Sequence, residues 1–169
     1  MWDVLNGGSA INDPAGGDHG YLQAEEGAYQ YQERATYWAM KRMTNYWSSP
    51  GDMNEHKLVK CDVNDPLIAS YADLKPDGTL ALMVVNKNPG NTCNIKVKIK
   101  GYKPAAEAKS WSFDRNNYKW NTDSPPYHAD PDNPPAESMV KGVSKSFKYP
   151  FPAYSITVLQ FAKAGTGKQ

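Results

Sequence analysis

After Gly51 apolar positions recur at every second residue, the period of a half-buried strand. Ile95, Val97 and Ile99 interleave with Lys96, Lys98 and Lys100, so one face is expected in a core and the other in water. The run from Leu80 to Val85 is apolar on both faces and predicts a central strand. Strands are expected over Leu58–Val63, Leu67–Leu74, Thr79–Asn86, Cys93–Lys100, Ala106–Asp114, Val143–Tyr149 and Ser155–Ala162. Trp111 and Phe113 alternate with Ser110 and Ser112, which places the two rings in a core rather than on a binding surface. Between strands, Lys75-Pro76-Asp77-Gly78 and Asn88-Pro89-Gly90-Asn91 carry turn chemistry: the fixed φ of proline followed by a permissive glycine. The pattern predicts a mainly β fold, an antiparallel β-sandwich of about seven to eight strands with one N-terminal α-helix.

That helix is expected over Ala28 to Trp47. Ala28, Tyr31, Ala35, Trp38, Ala39, Met43 and Tyr46 follow the three-and-four spacing of one face. A second stripe, Thr36, Met40, Met43 and Trp47, widens the apolar arc beyond what a surface helix uses, so the helix is expected to be packed from more than one side. Ser48-Ser49-Pro50-Gly51-Asp52 stops it. Two intervals lack periodicity. Residues 1 to 26, rich in Gly, Asp and Asn, read as loop. Asn116 to Gly142, with Pro125-Pro126 and Pro134-Pro135, reads as a long irregular connection, either functional or a cover for a sheet edge.

Charge narrows the partners. Lys and Arg number 19 against 18 Asp and Glu, a net charge of +1. Neither a basic excess nor a one-sided patch is visible along the sequence, so a nucleic-acid partner is not expected. No apolar run is long enough to span a membrane, and no membrane partner is expected. Cys61 and Cys93 are too few for a disulfide scaffold and lack zinc-type spacing, leaving either a bridge or two buried thiols. Met1-Trp2-Asp3-Val4 has neither the basic nor the apolar part of a signal peptide. The natural start then lies upstream, or the protein is cytosolic.

Motifs for catalysis and cofactors are missing. There is no G-x-S-x-G elbow, no H-E-x-x-H and no paired-cysteine knuckle. Gly165-Thr166-Gly167-Lys168-Gln169 lacks the outer residues of a phosphate loop. His19, His56 and His128 have no second ligand at metal spacing, and Asp130-Pro131-Asp132-Asn133 falls short of a calcium loop and reads as a solvated turn. No metal and no cofactor are expected. Glu25, Glu26 and Glu33 precede or lie on the helix, and no catalytic residue is assigned. Aromatic residues give the stronger signal, because sugars stack on Tyr and Trp rings that are half exposed. Tyr118, Trp120 and Tyr127 stand in polar, proline-rich surroundings and are the candidate carbohydrate platform, against the plainer role of pinning their loop to the sheet.

The order of features resembles the C-terminal end of clan A retaining (β/α)8-barrel glycoside hydrolases, which include arabinofuranosidases, xylanases and endoglucanases. Met1-Trp2-Asp3-Val4-Leu5-Asn6 is similar to the last barrel strand, Asp18-His19-Gly20-Tyr21-Leu22 to its following loop, and Tyr29-Gln30-Tyr31 through Tyr46-Trp47 to the last helix. Leu80 through Asn88 resembles their "vvNKn" strand, and Pro152 through Leu159 their closing "P-x-S-x-t-v-l" strand. The resemblance implies a division into residues 1–52, the end of a barrel, and 53–169, a non-catalytic β-sandwich accessory domain. It implies a secreted, extracellular parent, a polysaccharide or oligosaccharide ligand, the barrel as partner, and catalytic carboxylates upstream of residue 1. It also matches Trp2 to a sugar-facing position. Two alternatives stand beside it: an autonomous carbohydrate-binding module, and a small complete glycoside hydrolase using carboxylates such as Glu25, Glu33 or Asp114. A helix built to be covered on two sides predicts that the chain alone self-associates through Ala28 to Trp47, swaps that helix, or folds it back over the sandwich.

Overall fold

The computed structural model describes residues 5–6, 22–23, 35–41, 46–47, 56–114, 116–117, 120–121, 128–129 and 137–165. The fold is mainly β. In chain order the elements are β1 (Leu5–Asn6), β2 (Leu22–Gln23), α1 (Ala35–Lys41), β3 (Lys57–Val59), β4 (Ile68–Leu74), β5 (Leu80–Asn86), β6 (Cys93–Lys98) and β7 (Pro104–Phe113). There follow β8 (Trp120–Asn121), β9 (His128–Ala129), β10 (Glu137–Lys141), β11 (Ser146–Phe151) and β12 (Ser155–Lys163).

A six-stranded antiparallel sheet, ordered β10-β7-β12-β5-β4-β3, faces a two-stranded sheet of β11 and β6. Eight strands therefore make the sandwich. β5, apolar on both faces as the sequence required, lies centrally between β12 and β4. The Lys75–Gly78 turn joins β4 to β5: Gly78 N donates to Lys75 O at 2.9 Å, Thr79 N to the Asp77 carboxylate at 2.8 Å, and Gly78 takes φ +83°. Only glycine occupies that region without a steric cost.

Strand parity divides the large sheet into two faces. Leu80, Leu82, Val84, Leu159, Phe161 and Ala108 point inward and meet Val97, Ile99 and Phe151 from the small-sheet side. Phe147 packs edge-on against Phe161, with ring centroids 5.9 Å apart. Tyr149 reaches across to Ser110, hydroxyl to hydroxyl, at 2.7 Å. One end of this interior is polar and fully paired. Buried Asn86 donates its amide N–H groups toward Asn91 O (3.0 Å), Phe151 O (3.1 Å) and Pro152 O (2.8 Å), while its oxygen accepts from Asn88 N at 3.0 Å. Ser155 Oγ donates to the same Pro152 carbonyl at 2.7 Å. The two short motifs of the resemblance thus meet at one oxygen.

Several expectations are corrected. The interval from Asn116 to Gly142, expected to be irregular, contains β10, which pairs in register with β7 from Glu137↔Trp111 to Lys141↔Glu107. It also contains the β8–β9 ribbon. The strand expected from Val143 begins at Ser146; Val143 is instead buried in the preceding turn, its N–H donating to Ala106 O at 2.9 Å. The strand expected over Leu58–Val63 is confined to β3, because its exposed side chains give it little to pack against. Within residues 1–26, read as loop, β1 and β2 pair in parallel, Leu5↔Leu22 and Asn6↔Gln23. Of the helix expected over Ala28 to Trp47, Ala35–Lys41 is helical, and 28–34 and 42–45 lie outside the described residues. Cys61 and Cys93 are two thiols, not a bridge: Cys61 Sγ lies 3.2 Å from Ser70 Oγ, and Cys93 Sγ 3.8 Å from the Asn86 side-chain oxygen.

Candidate carbohydrate-binding site

The loop that carries the candidate platform leaves the large sheet at β7 and returns at β10, so its stem is a hairpin on the sheet edge. That stem is fastened at Trp111. Its indole N–H donates to Glu137 Oε2 at 3.2 Å, and Lys109 Nζ lies 3.6 Å from the other carboxylate oxygen. At the loop's base the Asp114 carboxylate accepts from Asn116 N at 2.7 Å. Further out, Trp120 pairs with Ala129 and Asn121 with His128, giving the platform segment a β-ribbon backbone. Trp2, Tyr118 and Tyr127 lie outside the described residues, as do Glu25 and Glu33. Tyr71 and Tyr154, passed over in the sequence reading, are 50% and 57% exposed. Strand parity marks Tyr71 as outward-facing. Tyr154 stands at the β11–β12 turn with a positive φ of 46°.

The centre of the large sheet's outer face is not wet, although Tyr71, Lys109 and Met139 at its margins are exposed. Ala81, Met83, Val158, Trp111 and Phe113 are all buried there, on the side away from the two-stranded sheet. Tyr46 supplies part of the cover: its ring stacks on Trp111 with centroids 4.4 Å apart and planes 15° from parallel. Its carbonyl accepts from Lys75 Nζ at 3.1 Å and from the Gln160 amide. Beside it His56 Nδ1 meets the Asp73 carboxylate, with side chains 8% and 2% exposed. His56 Nε2, the second Asp73 oxygen and Trp47 Nε1 are buried without a hydrogen-bond partner among the described residues. Burial pushes the Lys75 ammonium below its ordinary value, against the pull of Asp77 and Asp73. The expectation that Trp111 and Phe113 are core residues holds, with the qualification that they belong to a second layer outside the sandwich proper.

A cleft of about 780 Å3 opens between the sheets, because the two-stranded sheet does not reach across to β3 and β4. Ser70, Ala72 and Val84 line one wall, Ile95 and Val97 the other, and Cys61 its end. On the far side of the small sheet, every charged residue is a lysine: Lys96 and Lys98 on β6, Lys148 on β11, and Lys100 just past β6, all exposed. Lys148 sits directly opposite Lys96 in the register. The sequence showed no one-sided basic patch; strand pairing assembles one. No group of three or more potential metal ligands occurs among the described residues.

No protein-family model matches the chain, and no curated protein matches it. Solved structures do. The catalytic domain of GH30 xylanase C from Talaromyces cellulolyticus aligns over 85% of this chain and 27% of its own, with a TM-score of 0.59 and 14% identity. A GH30 endoxylanase from Clostridium papyrosolvens C71 aligns over 79% of this chain and 28% of its own, with a TM-score of 0.55 and 13% identity. A family 44 glycoside hydrolase endoglucanase from Clostridium thermocellum aligns over 62% of this chain and 19% of its own, at a TM-score of 0.47 and 20% identity. The chain shares its fold with part of the two xylanases. It spans little more than a quarter of their length.

Proposed function

We propose that this chain is a non-catalytic β-sandwich accessory domain of a polysaccharide-degrading glycoside hydrolase, with residues 1–52 the end of a (β/α)8 barrel and 53–169 the sandwich. The observation that carries the reading is the outer face of the large sheet. A solvated sandwich presents polar residues there, whereas this one buries Met83, Val158, Trp111 and Phe113 and seats Tyr46 on them. Such a face belongs against another layer of protein. The fold shared with part of two xylanases, whose chains are several times longer, supports the same reading. The natural setting is extracellular, where polymeric glycans lie, and the chain alone self-associates through Ala28 to Trp47. Catalytic carboxylates belong to the barrel.

A second reading rests on the β8–β9 ribbon, in which Trp120 pairs with Ala129: an autonomous carbohydrate-binding module with Tyr118, Trp120 and Tyr127 as platform. One set of assays separates the readings. The chain is incubated with xylan, arabinoxylan, β-glucan and hydroxyethyl cellulose, and reducing ends are measured beside affinity electrophoresis on the same polymers. The accessory reading expects no reducing ends above a heat-denatured control. Retardation by one neutral polymer, lost in Trp120→Ala, establishes the module. Release of reducing ends overturns both and returns the chain to the enzymes.

A further inference from the structure

We infer that the lysine face of the two-stranded sheet is a docking surface for a polysaccharide bearing carboxylates. Along β6 the outward positions are Asn94, Lys96 and Lys98, followed by Lys100; along β11 they are Ser146, Lys148 and Pro150. Residues 93–103 and 142–152 contain no Asp or Glu, so neither strand of the small sheet nor its flanking turns supply a counter-charge. The ion pairs among the described residues lie elsewhere, at His56–Asp73, Lys60–Asp62 and Lys109–Glu137. Like charges set directly opposite on neighbouring strands are destabilising, and Lys96 faces Lys148. A chain with a net charge of only +1 concentrates four lysines, Lys96, Lys98, Lys100 and Lys148, on this one small face.

The arrangement selects among polyanions. Ammonium groups two residues apart on a strand repeat at roughly 7 Å, a line of charge suited to an extended polymer. Nucleic acid is disfavoured because the outward positions carry no aromatic ring for base stacking and no arginine fork for phosphate. A membrane is disfavoured because no large apolar side chain projects from the face. The Asn94 amide and the Ser146 hydroxyl supply hydrogen-bond partners for sugar hydroxyls beside the lysines. The choice of a glycan among polyanions rests on the accessory-domain reading; the charge geometry does not. Lysines on a free strand edge also discourage edge-to-edge pairing, and the test separates that role from binding.

The experiment is affinity electrophoresis of the whole chain in gels containing polygalacturonate, its highly methyl-esterified counterpart, DNA, dextran sulfate or no polymer, repeated with K96Q/K98Q/K148Q. Polygalacturonate is expected to retard the wild type at low salt, the esterified polymer is not, and 0.5 M salt abolishes the effect, on the order of what screening predicts. The triple variant weakens retention roughly tenfold while its thermal midpoint stays level or rises, showing that the fold is intact. Retention unchanged in the triple variant overturns the inference, as does no retention of the wild type. Equal retention by DNA and dextran sulfate also overturns it, by revealing a non-selective polycation surface. Reducing ends released from a neutral glycan strike at the accessory-domain reading and leave this result standing.

Discussion

Tyr46 lies flat on Trp111, and its carbonyl oxygen is gripped from two sides, by Lys75 of the β4–β5 turn and by Gln160 of β12. One residue thus ties the N-terminal segment to the outer face of the large sheet through ring and backbone together. Trp111 is the anchor, being 5% exposed and hydrogen-bonded at its indole. Trp111→Ala is expected to lower stability by about 3–5 kcal/mol. Tyr46→Ala is expected to be milder, and the Tyr46–Trp111 coupling in a double-mutant cycle about 1 kcal/mol. Urea unfolding of the four proteins gives the numbers. Additive effects would mean that the stack contributes nothing.

Asn86 is the most heavily committed polar side chain in the interior, joining its own strand, the β5–β6 turn and the β11–β12 turn. Asn86→Ala takes the amide donor from buried Phe151 O, while Pro152 O keeps Ser155, and is expected to lose about 1–3 kcal/mol. Asn86→Asp keeps the shape but replaces a donor by a charge among carbonyl oxygens. It should be at least as damaging at neutral pH, measured as the shift in urea midpoint. A midpoint for the Asp variant equal to that of the wild type would refute the assigned donor role.

The strands and turns were readable because period-two hydrophobicity and Pro-Asp-Gly chemistry are local. Asn86 and Ser155 were visible as motif letters, but their common target, Pro152 O, is set by distant pairing. β10 was missed for a physical reason: of Glu137 to Lys141 only Val140 is partly buried, so an edge strand leaves almost no apolar trace. The lysine face was hidden because net charge sums a whole chain, whereas Lys148 meets Lys96 only through strand register. Trp120 was legible as an aromatic in a long loop, and its ribbon backbone was not. The second apolar layer was half legible: Trp111 and Phe113 read as core, but no local pattern says which side of a sheet a core residue faces.

Asp73 and His56 form a buried pair next to that second layer. Removing one partner leaves the other buried and alone, so Asp73→Ala is expected to cost about 3 kcal/mol. His56→Ala should cost comparably, and the double variant less than the sum. Thermal or urea unfolding of the set checks this; strict additivity would show that the contact carries no energy.

The Tyr102 hydroxyl lies 2.7 Å from Phe161 O and 2.9 Å from Gly78 O, and donates to one of them. Burial pushes its ionisation above the ordinary 10.0; a backbone hydrogen bond at Leu80 pulls the other way, and the charge of Asp77 adds to the rise. The unfolded chain therefore releases this proton first, so stability is full below pH 10 and falls as pH rises through the folded value. Lys75, depressed below its ordinary 10.5, gives the opposite slope just under that pH. Tyr102→Phe isolates the tyrosine: it should lose about 1 kcal/mol at neutral pH and show a smaller decline above pH 10 than the wild type. Parallel curves across pH 9 to 11, a window set around that ordinary value, would rule the linkage out.

β12 stands between β7 and β5, yet it follows both in the sequence. On the ribosome the sheet consequently exists for a time as two unjoined halves, β10 with β7 and β3 to β5 together. Each half then displays a bare strand edge and an apolar face, the condition in which nascent chains aggregate. The final insertion of Ser155 to Lys163 closes both edges at once. Chaperone demand and sensitivity to truncation should therefore concentrate in β12, and a stop codon placed at Ser155 would yield a chain with nearly every strand of the sandwich and its large sheet in two unjoined pieces.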